Sequence, residues 1–258
     1  MTTEFSESKQ IMEQLIQVHR SGKIDAGRNI QAGYYRGWGL EYGEMSSIIS
    51  SLSAYRDALA KARDRGCMLP ENKLQNLFII ILFGLESIQG DIIELGSYKG
   101  GSAVFMADLV KTFGRSTRVW ALDTFAGMPA TDPVRDLHNQ GDFADTSYED
   151  FKNYSEKMGL DSHLHIVKGN FDQTLDGVIQ QAKQFSLAHI DCDIYEAVKY
   201  SITGTWPYLA NGAYIILDDA LQSSCIGALQ AAEEELVSAR GLRAEQAFPH
   251  LVYRKFNQ

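Results

Sequence analysis

From residue 90 onward the chain repeats one pattern: a short apolar run, an acidic residue at or near its end, then a stretch with helical character. "DIIEL" at 91–95, "RVWAL" at 118–122, "HLHIVKG" at 163–169, "LAHID" at 187–191 and "AYIIL" at 213–217 read as strands. Helices are expected over 100–113, 147–158, 172–184, 195–209 and 221–239, with a polar loop over about 126–146. Strands alternating with helices imply a mostly parallel sheet covered on both faces, because each crossover lays a helix on the sheet. Asn211-Gly212 reads as a turn, and "RAEQAF" and "HLVYRK" flank Pro249 as two last strands, one of them antiparallel. The sequence therefore predicts a seven-stranded α/β sheet of Rossmann-like type.

Upstream, residues 4–21 carry apolar side chains at Ile11, Leu15, Ile16 and Val18, the spacing of an amphipathic helix. Residues 22–45 interleave glycines with Tyr34, Tyr35, Trp38 and Tyr42 and read as irregular, covering either the acceptor site or a subunit interface. Helices are expected over about 45–65 and 72–89. We divide the chain into an N-terminal helical cap, 1–70, and a main domain, 71–258.

A net charge of −9 over 258 residues argues against a nucleic-acid-binding surface. The longest apolar run, Leu77 to Leu85, is about half of what a bilayer crossing needs. Three cysteines without metal-like spacing and no leader pattern point to a soluble protein of the cytoplasm. A homo-oligomer is expected.

Ligands in such sheets bind beyond the carboxyl ends of the strands. The first of those ends reads "ELGSYKGGS". A dinucleotide fingerprint needs glycine at 94, 96 and 99, where this chain has Glu94, Gly96 and Lys99. Glu94 would repel a pyrophosphate but suits a phosphate-free, positively charged cofactor such as S-adenosylmethionine. Asp123, one helix and one strand further on, is placed to accept hydrogen bonds from a ribose; alternatively Asp123 caps a local turn and Glu94 a helix. "HIDCDIYEA" and "IILDDA" add Asp191, Asp193, Asp218 and Asp219 at two further strand ends. Converging carboxylates repel unless a cation sits among them, and all-oxygen ligands suit magnesium. Asp193 is also a fitting helix N-cap. His163 and His165 read as structural. His138, in the polar loop, is a candidate base.

"GDIIELGSYKGGSAVFMA", "VWALDTFAGMP" and "IDCDIYEAVKYSITGTWPYLANGAYIILDDA" together resemble the TylF/MycF-type macrocin O-methyltransferases, over about residues 68–240. The resemblance implies a class I methyltransferase fold and transfer of a methyl group from S-adenosylmethionine to a small-molecule hydroxyl, on a sugar in most of the family. It implies cofactor contacts by Met68, Glu94, Gly96, Ser97, Tyr98, Ser102, Asp123, Thr124, Phe125, Gly169, Asn170, Phe171 and Asp191, and a magnesium ion on Asp191, Asp218 and Asp219. Asp191, Asp193 and His138 are the candidate bases. A catechol-type lysine base is not supported, since Ile194 stands at its position and Lys199 lies further on. The rival readings are a catechol-type O-methyltransferase, a hydroxylase-like relative of the same fold that does not methylate, and a non-catalytic cofactor-binding scaffold.

Overall fold

The computed structural model describes residues 2–20 and 44–256; the aromatic, glycine-rich stretch lies almost wholly outside the described residues. The apolar runs form strands β1 (Asp91–Leu95), β2 (Val119–Asp123), β3 (Leu164–Lys168), β4 (Phe185–Ile190), β5 (Leu209–Leu217) and β6 (Leu251–Arg254). They make one sheet in the order β3-β2-β1-β4-β5-β6, with only β6 antiparallel. The order reverses between β1 and β4, so the crevice above their carboxyl ends is where such a sheet takes ligands.

Eight of the helices matter for the site: α1 (Thr3–Arg20), α3 (Ser53–Asp64), preceded by the short α2 (Met45–Ser51), α4 (Glu71–Ile79), α5 (Gly101–Thr112), α7 (Phe171–Ala182), α8 (Tyr195–Thr205) and α9 (Ile226–Ala232). Helix α6 (Tyr148–Lys157) flanks β3. Side chains alternate across the strands. Ile92, Val119, Ala121, Leu187, Ile216 and Val252 face a core shared with α1 to α6. Ile93, Leu95, Trp120, Leu122, Ala188, Ile190 and Ile215 face a second core with α7, α8 and α9. Full burial of each such side chain contributes about 1.5–3 kcal/mol, which is why fully apolar strands are selected in the middle of a parallel sheet.

Four expectations are corrected. The sheet has six strands, not seven: "RAEQAF" contributes a single bridge, Gln246 to Val252. Arg243, Ala244 and Glu245 are all exposed, so the segment has no apolar face to bury against the sheet. The helix expected over 45–65 is broken at Leu52, whose backbone is extended (φ −74°, ψ 132°). Asn211-Gly212 does not end a strand; β5 runs through it, with Gly212 at φ +82° and its N–H donating to the Lys255 carbonyl. The helix expected over 221–239 starts at Ile226, leaving 221–225 as a loop at the site, and continues past α9 as a π-turn, Glu233–Ser238.

Candidate active site

The ends of β1 and β4 are closed against each other. The Asp191 N–H donates to the Leu95 carbonyl at 2.9 Å. Gly96 has φ +91°, and a Cβ there would lie 1.8 Å from the Asp191 carbonyl oxygen, so only glycine fits. The loop that follows is tied down by Asp123. Its Oδ2 accepts the N–H groups of Ser97 (3.0 Å) and Tyr98 (2.8 Å), and its Oδ1 accepts that of Phe125 (2.7 Å). Burial nevertheless pushes the Asp123 carboxyl above its ordinary range, against these three bonds. The strand-end carboxylate thus finds its donors in the backbone of the loop. On the outer side Asp145 holds the Tyr98 hydroxyl at 2.6 Å and the Lys99 ammonium at 2.7 Å.

Beyond β4 and β5, Asp191, Asp218 and Asp219 each bring one carboxylate oxygen within 4.8 Å of the others. The three differ electrostatically. Burial, then the charges of the neighbouring acids, pushes Asp191 and Asp219 well above the usual carboxylate range. Burial would raise Asp218 too, but the nearby His189, the hydrogen bond from His250 and the Lys73 charge hold it well below that range. Lys73 Nζ, from α4, is 2.5 Å from Asp218 Oδ2 and 2.8 Å from the Asp218 carbonyl, with both side chains buried. His250 Nε2 donates to Asp218 Oδ1 at 2.9 Å, while its Nδ1 accepts from Asn76 at 3.0 Å. Burial lowers His250 to about 4, so it is the neutral tautomer that makes both bonds.

His189 stands beside Glu94 in the register of β1 and β4, with Nδ1 3.0 Å from Glu94 Oε1 and Nε2 3.7 Å from Asp218 Oδ1. Burial alone would neutralise it; the two carboxylates outweigh that and raise it to about 9, so it is cationic at neutral pH. Glu94 is fully buried, and its Oε2 has no partner.

A third group lies in the loops above. Asp193, at φ +57°, donates its N–H to Asp219 Oδ2 at 3.1 Å. Its Oδ1 is 3.8 Å from His138 Nε2 and 3.5 Å from Cys225 Sγ.

Lys73, Asp123, His138, Asp191, Asp193, Asp218, Asp219 and Cys225 open onto one cavity of about 670 Å³, whereas Glu94, His189 and His250 do not. Of the residues expected to hold a cofactor, Met68, Gly96, Ser97, Tyr98, Ser102, Asp123, Thr124, Asn170, Phe171 and Asp191 line it. Three do not. Glu94 lies behind the wall, Phe125 is buried against Tyr148 and Phe151, and Gly169 turns the chain at φ +145° before α7. Sequence reasoning missed Lys73, His189, His250 and Cys225. Its one available signal was a polar residue set into an otherwise apolar run, as His189 is in "FSLAHI".

The family model for macrocin O-methyltransferase (TylF) matches residues 60–243. A Streptomyces olivaceus 8-demethyl-8-(2,3-dimethoxy-alpha-L-rhamnosyl)-tetracenomycin-C 4'-O-methyltransferase is 29% identical over 149 residues, 54% of this chain and 56% of that protein. The Mycinamicin III 3''-O-methyltransferase of Micromonospora griseorubida is 27% identical over 190 residues, 69% of this chain and 72% of that one. The match thus spans little more than half the length of the first relative. Among solved structures, the O-methyltransferase NovP superposes with a TM-score of 0.62 at 22% identity, over 76% of this chain and 88% of that one, a likeness of fold. With the family model spanning both glycine-loop and carboxylate ends of the sheet, the chain belongs to the macrocin O-methyltransferase family, a family of enzymes.

Proposed function

We propose that the protein transfers a methyl group from S-adenosylmethionine to a sugar hydroxyl of a glycosylated small molecule, with a divalent cation, magnesium, held by Asp191, Asp218 and Asp219. The observation that carries this reading is the convergence of those three carboxylates beside the Gly96–Ser102 loop in a single cavity. The names of the two relatives, one acting on a rhamnosyl-tetracenomycin, support a sugar-bearing acceptor.

The residues present fit both groups. Gly96 lines the cavity, and Ser97 Oγ and Glu94 Oε2 are buried polar atoms without partners. Glu94 lies one layer behind the wall, paired with His189. The trio offers only oxygen donors, and the raised Asp191 and Asp219 mark a site that is short of positive charge. Lys73 and His250 already hold Asp218, so Asp191 and Asp219 have the freer oxygens. When bound, the cation lowers the pKa of the acceptor hydroxyl.

Asp193 or His138, 3.8 Å apart on the cavity wall, takes the hydroxyl proton as the C–O bond forms and the S–C bond breaks, leaving a neutral thioether. The loop held by Asp123 and the acids fixed by Lys73 and His250 pre-position the two reactants. A homo-oligomer and a cytoplasmic location belong to the same reading; three free thiols, Cys67, Cys192 and Cys225, support the second.

The test is transfer of labelled methyl from S-adenosylmethionine to a panel of glycosylated acceptors, with and without EDTA. Transfer that collapses in EDTA and returns with magnesium is expected. Full transfer in excess EDTA would confine the acids to structure or proton transfer.

A further inference from the structure

We propose that His138, Asp193 and Cys225 form a second cation site, built for a thiophilic divalent ion of the zinc class and open to the cavity at its fourth position. The three side chains come from the loops after β2, β4 and β5, and all three line the cavity. Cys225 Sγ is 3.6 Å from His138 Nε2 and 3.5 Å from Asp193 Oδ1, and His138 Nε2 is 3.8 Å from Asp193 Oδ1. A tetrahedral zinc ion has ligand distances of about 2.3 Å to sulfur and about 2.0–2.2 Å to nitrogen and oxygen. Those lengths place sulfur and nitrogen about 3.6 Å apart, sulfur and oxygen about 3.5 Å, and nitrogen and oxygen about 3.4 Å. Two edges match and the third is a few tenths of an ångström wide.

Weak hydrogen bonds can join the same atoms, with the ring N–H donating to Sγ and the thiol to Asp193 beside Ser224 Oγ at 3.4 Å, but they leave the ring and the carboxylate 3.8 Å apart without a direct bond. An ion between them satisfies all three, with the Cys225 proton released to solvent as the sulfur–metal bond forms. Asp142 Oδ2 lies 3.5 Å from the other ring nitrogen of His138, the position from which a carboxylate orients a metal-bound histidine.

The site is chemically distinct from the carboxylate trio. One sulfur and one ring nitrogen favour zinc, whereas three carboxylates favour magnesium. The two are adjacent, since the Asp193 N–H donates to Asp219. Zinc bound here withholds both Asp193 and His138 from accepting a proton, so it inhibits methyl transfer in competition with nothing that magnesium occupies. That consequence rests on the proposed reaction; the binding does not.

The experiment titrates the full chain with cobalt(II), in excess magnesium and without methyl donor or acceptor. One equivalent should produce a near-ultraviolet thiolate-to-metal charge-transfer band with tetrahedral visible bands, and zinc should displace it. Cys225→Ser should abolish the charge-transfer band. His138→Gln and Asp193→Asn should weaken cobalt binding by at least about tenfold, since even losing a partner behind a ligand costs about 10–100-fold. Asp218→Asn and Cys67→Ser should leave the band in place. Absence of the band in the wild-type chain overturns the site, as does a band that survives Cys225→Ser. In a methyl-transfer assay zinc should inhibit the wild-type enzyme and Cys225→Ser should resist it by at least about tenfold, the same loss of metal affinity. Tight binding without inhibition would keep the site and overturn the assignment of Asp193 and His138 as proton acceptors.

Discussion

Lys73 carries a charge on which the buried side of the site depends. It reaches Asp218 from a helix 145 positions earlier in the chain and is 5% exposed. Removing one partner of a buried pair leaves the other charge uncompensated and costs about 3–5 kcal/mol. Lys73→Met should therefore lower the unfolding free energy by that amount in a denaturant titration, whereas an unchanged value would mean that His250 and water suffice to hold Asp218. Cys67, on the cavity wall, gives a prediction in pH. Burial pushes its thiol up to about 11, so it is protonated through the neutral range and the nucleophilic thiolate is scarce. Alkylation of Cys67 by iodoacetamide, followed by mass spectrometry, should be slow at pH 8. It should rise about tenfold per pH unit until near pH 11, because only the thiolate fraction reacts. A rate that levels off near pH 9, the ordinary thiol value, would show a thiol that the cavity does not shield. The strand-end acids were legible because an acid closing an apolar run is conspicuous. Lys73, His189 and His250 were not, because what makes them functional is a partner far away in sequence.

At the scale of elements, the apolar strands and the alternating "HLHIVKG" were read correctly, and the polar "RAEQAF" was misread. "DIIEL" and "AYIIL" have nowhere to go but a buried sheet, while "RAEQAF" owes its single bridge to β6 and not to any face of its own. Breaks such as the one at Leu52 leave little trace in composition; Ser51 and Ser53 flank it, and each suits a helix end as readily as a helix interior. The loop between β1 and α5 is the element that joins fold to chemistry, and Asp123 is its tether. Asp123→Ala should free the Ser97 and Tyr98 N–H groups and weaken S-adenosylmethionine binding by roughly 1–3 kcal/mol, the cost of leaving buried donors unpaired. Calorimetry giving unchanged affinity would show that the loop keeps its shape without the carboxylate. Asp123→Asn keeps one acceptor oxygen and should fall between the two.

For the whole molecule, the division into a cap and a main domain meets a core that runs across the boundary. Phe5 of α1 lies edge-on to Phe113 at 5.5 Å, Phe113 to Phe78 at 5.9 Å, and Phe78 to Tyr55 at 5.6 Å. Tyr55 continues the line to Phe105 of α5 at 5.8 Å. Each such ring pair adds about 0.5–1.5 kcal/mol beyond the area it buries, and the line joins α1, α3, α4 and α5 into one layer on the sheet. Thr2 adds a hydrogen bond from its hydroxyl to the Thr112 carbonyl at 2.6 Å. On this geometry helix α1 is expected to unfold with the sheet and not before it. Phe5→Ala should therefore cost about 3–5 kcal/mol, the usual loss for truncating a buried phenylalanine. Thermal melts followed by far-ultraviolet circular dichroism and by tryptophan fluorescence should show one coincident transition, shifted down by about 2–4 °C per kcal/mol. If the midpoint stays put, or the two probes separate, α1 frays independently and residues 1–70 are a unit of their own; if both probes move together, the cap is part of the same cooperative body that holds the cavity.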